Sequence, residues 1–94
     1  MSFYMPPPID LKIENTVKGT SLLLPYNEYR WDFQKLGIHF ASQGSASLAK
    51  AMLPKNWTYT VQRNSYETIL HLFDANAQLK AKVMYGLFLD VEFS

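Results

Sequence analysis

The sequence predicts an α+β fold: one short helix, about residues 27–36, packed on an antiparallel β-sheet that ends in a C-terminal meander. Three observations carry this. Residues 57–62 and 79–93 alternate apolar and polar residues with period two, the pattern of half-buried strands, and 67–73 between them is apolar on both faces, as a central strand is. Tyr29, Phe33 and Leu36 fall at i, i+4 and i+7 on one helical face. The chain is 94 residues long, 48% hydrophobic and 15% aromatic, which suits one globular domain rather than a disordered segment.

From the N-terminus, Pro6, Pro7 and Pro8 remove three backbone donors in a row and favour polyproline II, so residues 1–8 read as an extended arm. Ile9, Leu11 and Ile13 alternate with Asp10, Lys12 and Glu14, a strand pattern. Lys18 and Gly19 suggest a turn, and residues 20–24 a second strand stopped by Pro25. Asn27 is placed to cap the helix, and Glu28 suits the positive end of its dipole. Gly37 supplies a left-handed stop, after which Ile38 can touch Phe33. Trp31 points away from the apolar stripe, either exposed as an interaction candidate or covered by the arm. Residues 45–53 are ambiguous, because their composition favours a helix whereas Leu48, Lys50 and Met52 alternate as in a strand.

The meander is predicted as strands 57–62, 67–73 and 79–93. Asp74, Ala75, Asn76, Ala77 and Gln78 form the turn between the last two. Directly opposed residues of an antiparallel pair share a face. Setting Phe73 against Leu79 and Val61 against Glu67 collects Trp57, Tyr59, Val61, Ile69, His71, Phe73, Leu79, Ala81, Val83 and Tyr85 on one face. The expected core is Tyr29, Phe33, Leu36, Trp57, Tyr59, Ile69, Phe73, Val83 and Tyr85. A two-residue hairpin at Tyr85-Gly86 would mix Lys80 and Lys82 with Leu87, Leu89 and Val91. Residues 79–93 therefore read as one long strand bent at Gly86, whose second half overhangs the sheet.

Composition narrows the function. There is no cysteine, which removes disulfides, Cys-ligated metals and Cys nucleophiles. The start of the chain lacks the basic and apolar regions of a secretory leader, and no apolar run approaches the roughly 20 residues of a membrane span; both favour a cytoplasmic protein. The Asn56-Trp57-Thr58 sequon is then incidental. His39 and His71 are the only histidines, each in an apolar segment, and neither sits with acids at metal-ligand spacing. No catalytic residue, metal or cofactor is expected.

Net charge is +1, but residues 33–66 contain no acid and carry Lys35, Lys50, Lys55 and Arg63. With Tyr66 and other aromatics, Lys50, Lys55 and Arg63 could hold a single-stranded nucleic acid. A small-ligand pocket, for instance for a nucleotide, is a further alternative. The leading expectation is a protein-interaction module that uses Trp31 and the overhang residues Leu87, Leu89, Val91 and Phe93 to take a protein partner or a second copy of the chain.

Leu53-Pro54-Lys55-Asn56-Trp57 resembles the LPxGW signature of small, largely uncharacterised proteins of bacteria, phages and large viruses. Asp74-Ala75-Asn76-Ala77 resembles that family's D-x-x-G turn. The run from Lys80 to Tyr85 resembles the strand after it, and the run from Asp32 to Phe40 resembles its helix end. The resemblance covers about residues 20–90. Asn56 replaces the signature glycine, Gly86 replaces a lysine after the tyrosine, and the Asp-His before the central strand is missing. The resemblance implies a strand leading into Leu53, and a phage-borne, host-directed protein working by binding in the host cytoplasm. It implies no chemistry.

Overall fold

The computed structural model describes residues 9–15 by their backbone and residues 21–41 and 47–94 in full. The proline arm at 1–8 and the turn at Lys18-Gly19 lie outside the described residues. Among the described residues, two antiparallel sheets and one short helix make up the fold. The larger sheet has the order β1 (Ile9–Asn15), β5 (Thr58–Arg63), β6 (Glu67–Phe73), β7 (Leu79–Gly86), β8 (Leu89–Phe93). The smaller has the order β2 (Ser21–Pro25), β4 (Leu48–Met52), β3 (His39–Phe40). Helix α1 spans Arg30–Lys35. Residues 48–52 are thus a strand, and β4 is the central strand of the smaller sheet.

The sheets bury their facing sides in one core. Leu24 and Ala51 from the smaller sheet meet Tyr59, Val61, Leu70, Leu72, Ala81 and Val83 from the larger, together with Trp57, Phe33 and Ile38. Helix α1 closes one end of this core. Phe33 is fully buried, with its ring edge-on to Phe40 of β3 at 5.9 Å and to Phe93 of β8 at 5.0 Å between centroids. Edge-to-face rings add directional attraction to the area they bury.

The helix is shorter than 27–36. Tyr26 N–H still bonds Ser47 C=O at 3.1 Å in the smaller sheet, so residues 27–29 are used to turn the chain away from it. Tyr29, not Asn27, takes the cap position, with no side-chain bond. The other end follows the expectation. Gly37 lies at φ +85°, its N–H bonds Gln34 C=O at 2.9 Å, and Ile38 N–H bonds Phe33 C=O at 3.1 Å. This is a Schellman ending, and Phe33 and Ile38 are both buried beside it.

Strand β6 is out of phase with the expectation. Val61 pairs with Leu70 rather than lying near Glu67, and Tyr59 pairs with Leu72. Four residues, 64–67, connect Arg63 to its partner Thr68. An even number of connecting residues sets odd positions of one strand beside even positions of the next. The turn is fixed by Asn64 Oδ1, which accepts from Tyr66 N–H at 2.7 Å and Glu67 N–H at 2.9 Å. Leu70 and Leu72 therefore enter the core, while Ile69, His71 and Phe73 lie on the opposite face, only half buried. Tyr29, Leu36 and Tyr85 pack at the margin of the core.

A bulge between β6 and β7 restores the phase. Phe73 faces Leu79 as expected, but Leu72 faces Ala81, leaving Lys80 without an opposite residue. Continuing the register of Phe73 and Leu79 would have set Lys80 and Lys82 opposite Leu72 and Leu70. The extra residue puts Ala81 and Val83 there instead.

The last strand is not one long strand. β7 and β8 form a hairpin, with Tyr85 paired to Leu89, Val83 to Val91 and Ala81 to Phe93. Three residues, 86–88, join Tyr85 to Leu89, and an odd-numbered connection keeps odd positions on one face. The unbroken apolar phase from Leu79 to Phe93 is therefore the signature of this hairpin as much as of a continuous strand. Gly86 is required at its entrance. Its φ is +153°, and a Cβ there would meet the Tyr66 carbonyl oxygen and, at 2.8 Å, the Glu67 Cα.

Among the described residues, two non-glycine residues hold left-handed backbone: Asn56 at φ +67° and Ala77 at φ +61°. Asn tolerates this region, whereas Ala carries a steric cost of roughly 1–2 kcal/mol. Ala77→Gly removes that cost but gives the unfolded chain more freedom. The expected result is a gain of about 0.5 kcal/mol and a Tm higher by about 2–4 °C in a thermal melt. A lowered Tm would contradict the strain assigned to Ala77.

Candidate interaction surface

The hairpin between β7 and β8 presents its tip to solvent. Leu87 is 74% and Phe88 84% exposed. They border a cleft of about 370 Å³ whose walls also include Leu48, Tyr85 and Leu89. Behind the tip, Leu89 and Phe93 remain partly exposed, and Val91 is half buried. The five expected interaction residues thus fall into two groups. Leu87, Leu89, Val91 and Phe93 share the hairpin. Trp31 lies on α1, whose Tyr29 and Phe33 touch Phe93. Trp31 is 65% exposed, with Lys35 Nζ 5.5 Å from its ring centroid. The chain does not overhang the sheet at Leu87; it folds back, and Phe93 reaches the helix. Phe88 was not anticipated as part of the surface. Its signal is the pair Leu87-Phe88, two adjacent large apolar residues that no single strand face can bury together.

The residues of the nucleic-acid alternative are spread out. Arg63 ends β5 and Tyr66 lies in the β5–β6 turn, both exposed. Lys55 lies before the opposite end of β5, roughly 17 Å away along the strand at ~3.3 Å per residue. Lys50 is exposed on β4 in the other sheet. Trp57 and Tyr59 are buried in the core. Arg63 instead lines a second cleft, of about 340 Å³, together with Ser21, Tyr59 and Tyr85.

Among the described residues no group of three or more His, Asp or Glu could hold a metal ion. No described helix is long and apolar enough to cross a membrane. His39 is exposed on β3. His71, expected in the core, lies on the outer face of the larger sheet because of the β6 phase. Its Nδ1 is 3.4 Å from Thr60 Oγ1, and its ring stacks near Phe73. Asp74 organises the β6–β7 turn. Its Oδ1 accepts from Asn76 N–H at 2.8 Å and Gln78 N–H at 2.9 Å, and its Oδ2 lies 3.7 Å from Lys80 Nζ. The Gln78 amide foremost, then the Asn76 amide and Lys80, hold its carboxyl below the usual carboxylate range.

No family model matches the chain, and no curated protein or solved structure matches it.

Partial burial, then the charge of Lys82 beside it, lowers the His71 pKa. The unfolded chain, with an ordinary histidine pKa of about 6.5, therefore takes up the proton more readily than the folded one. Stability is full above that value and falls as pH drops below it. Urea midpoints at pH 7.5 and 5.5 should show a larger drop for wild type than for His71→Gln. Equal drops would contradict this account of His71.

Proposed function

We propose that the chain is a non-enzymatic protein-interaction module that acts by binding, through its C-terminal hairpin, a protein partner or a second copy of itself. The observation that carries this reading is the tip, where Leu87 and Phe88 stand side by side in solvent. Leaving such side chains in water forgoes about 1.5–3 kcal/mol each compared with burying them. Apolar surface concentrated at one place favours an interaction role. Leu89 and Phe93 stay partly exposed on the strand behind the tip, and Trp31 is exposed separately on the helix.

The proposal of a phage-borne, host-directed protein in the host cytoplasm rests on the resemblance to the LPxGW proteins. One geometric feature supports that resemblance. Asn56 and Ala77, both left-handed without being glycine, stand where the LPxGW and D-x-x-G patterns carry glycine. A small-ligand function is the second reading, supported by the cleft that Arg63 of β5 and Tyr85 of β7 both line. An anionic, nucleotide-like molecule suits that combination.

Light scattering and affinity capture from a cell lysate, on wild type and on Leu87→Asp/Phe88→Asp, test the main reading. Wild type should self-associate or retain a partner, and the double variant should lose this with its Tm within a few degrees of wild type. A monomer that captures nothing would overturn the reading. A small molecule released on denaturation and found by mass spectrometry would favour the second.

A further inference from the structure

Strand β8 ends the order of the larger sheet, with no further strand on its outer side among the described residues. Its backbone polarity follows from one bond. Ser94 N–H donates to Lys80 C=O at 3.0 Å, so 94 and 80 form a hydrogen-bonded pair. In an antiparallel ladder such pairs alternate with non-bonded ones. Glu92 with Lys82 and Asp90 with Met84 are then bonded pairs, while Phe93, Val91 and Leu89 direct their N–H and C=O groups away from β7. The free edge therefore presents the donors and acceptors of three alternate residues. Their side chains share the core-facing side and stay partly exposed.

The other face of β8 carries Asp90 and Glu92, both exposed, and neither has an ion pair among the described residues. Lys82 stands across the ladder from Glu92, but Asp90 faces uncharged Met84. These carboxylates decide between occupants of the edge. A second copy pairing antiparallel through β8 must set odd residues against odd ones to match the outward groups. The registers that overlap the two strands most fully, with Asp90 against Glu92, Asp90 against Asp90 or Glu92 against Glu92, each oppose at least one carboxylate to a carboxylate of the other copy, on one face and at close range. Like charges directly opposed destabilise a strand pair, and opposite charges stabilise it.

We propose, building on the interaction reading above, that the β8 edge accepts an extended strand of another protein in which lysine or arginine alternates with apolar residues. Antiparallel addition lets the apolar residues pair with Leu89, Val91 and Phe93, and lets their main-chain groups bond to the free edge. The basic residues then lie beside Asp90 and Glu92. The backbone supplies affinity, and the alternation of charge and apolar side chains supplies the choice of partner.

The test is fluorescence anisotropy on the full chain with a labelled synthetic peptide alternating lysine and valine. Three comparisons accompany it: a glutamate-valine peptide, the lysine-valine peptide N-methylated at its valines, and the charge-swapped protein Asp90→Lys/Glu92→Lys. The lysine-valine peptide should bind wild type, and at least about tenfold more weakly bind the swapped protein, which should prefer the glutamate-valine peptide. N-methylation should abolish binding, because it removes the amides that reach the edge. Equal binding of the N-methylated peptide, or indifference to the swap, would overturn strand addition. No peptide binding at low salt, while partner capture still depends on Leu87 and Phe88, would overturn this inference and leave the interaction module standing. Loss of both would remove the two together.

Discussion

At Gly86, strand β7 passes the start of β6 so closely that a single added carbon would lie 2.8 Å from the Glu67 Cα. Its φ of +153° lets the chain leave β7 and return after only three connecting residues. Much of the C-terminal half depends on this contact. The odd count keeps Leu89, Val91 and Phe93 on the side of Tyr85, Val83 and Ala81. Phe93 then reaches the Phe33 ring, and helix α1 is tied to β8. The same turn leaves Leu87 and Phe88 outside, since a turn has no inner face to bury them. A larger residue at position 86 would have to push β6 and β7 apart before the hairpin could close.

The larger sheet is in effect a sequence of parity decisions. The four-residue turn held by Asn64 shifts β6 by one, admitting Leu70 and Leu72 to the core. The bulge at Lys80 shifts β7 back, so that Ala81 and Val83 rather than Lys80 and Lys82 meet them. The three-residue connection then leaves the phase alone. Each decision is made by a few polar or small groups: the Asn64 side chain, the Asp74 carboxylate that organises the turn before the bulge, and the bare Cα of Gly86. Their combined effect is to keep two lysines and a histidine off the core side of the sheet. A one-residue slip in any of them would move every side chain of the following strand to the wrong face.

Much of this was legible in the residues. Alternation located β1, β5 and β7, an apolar run between turn residues located β6, and the Phe33–Gly37–Ile38 spacing gave the helix ending with its bonds and its buried contact. Strand β4 was not decidable from composition, since Ala, Lys, Leu and Met suit a helix; tertiary pairing with β2 and β3 settles it. The phase of β6 was hidden because Glu67, Thr68 and the apolar run after them read equally well on either face, and only the length of the Asn64 turn distinguishes the two. The C-terminal hairpin was hidden for the converse reason: an odd connection leaves no phase break to see. Of the interaction surface, Leu87, Leu89, Val91 and Phe93 were visible as surplus apolar residues. Their arrangement around a tip with Phe88, and the open edge behind it, required the pairing of β7 with β8.

The central claim is that β8 folds back on β7 in this register and leaves its odd-numbered backbone groups at a free edge. Amide hydrogen exchange followed by NMR tests it residue by residue. The N–H groups of Asp90, Glu92 and Ser94 should be protected, and those of Leu89, Val91 and Phe93 should exchange near the rate of exposed amides. Uniform fast exchange from 87 to 94 would contradict the hairpin, and protection of the odd set would contradict the free edge.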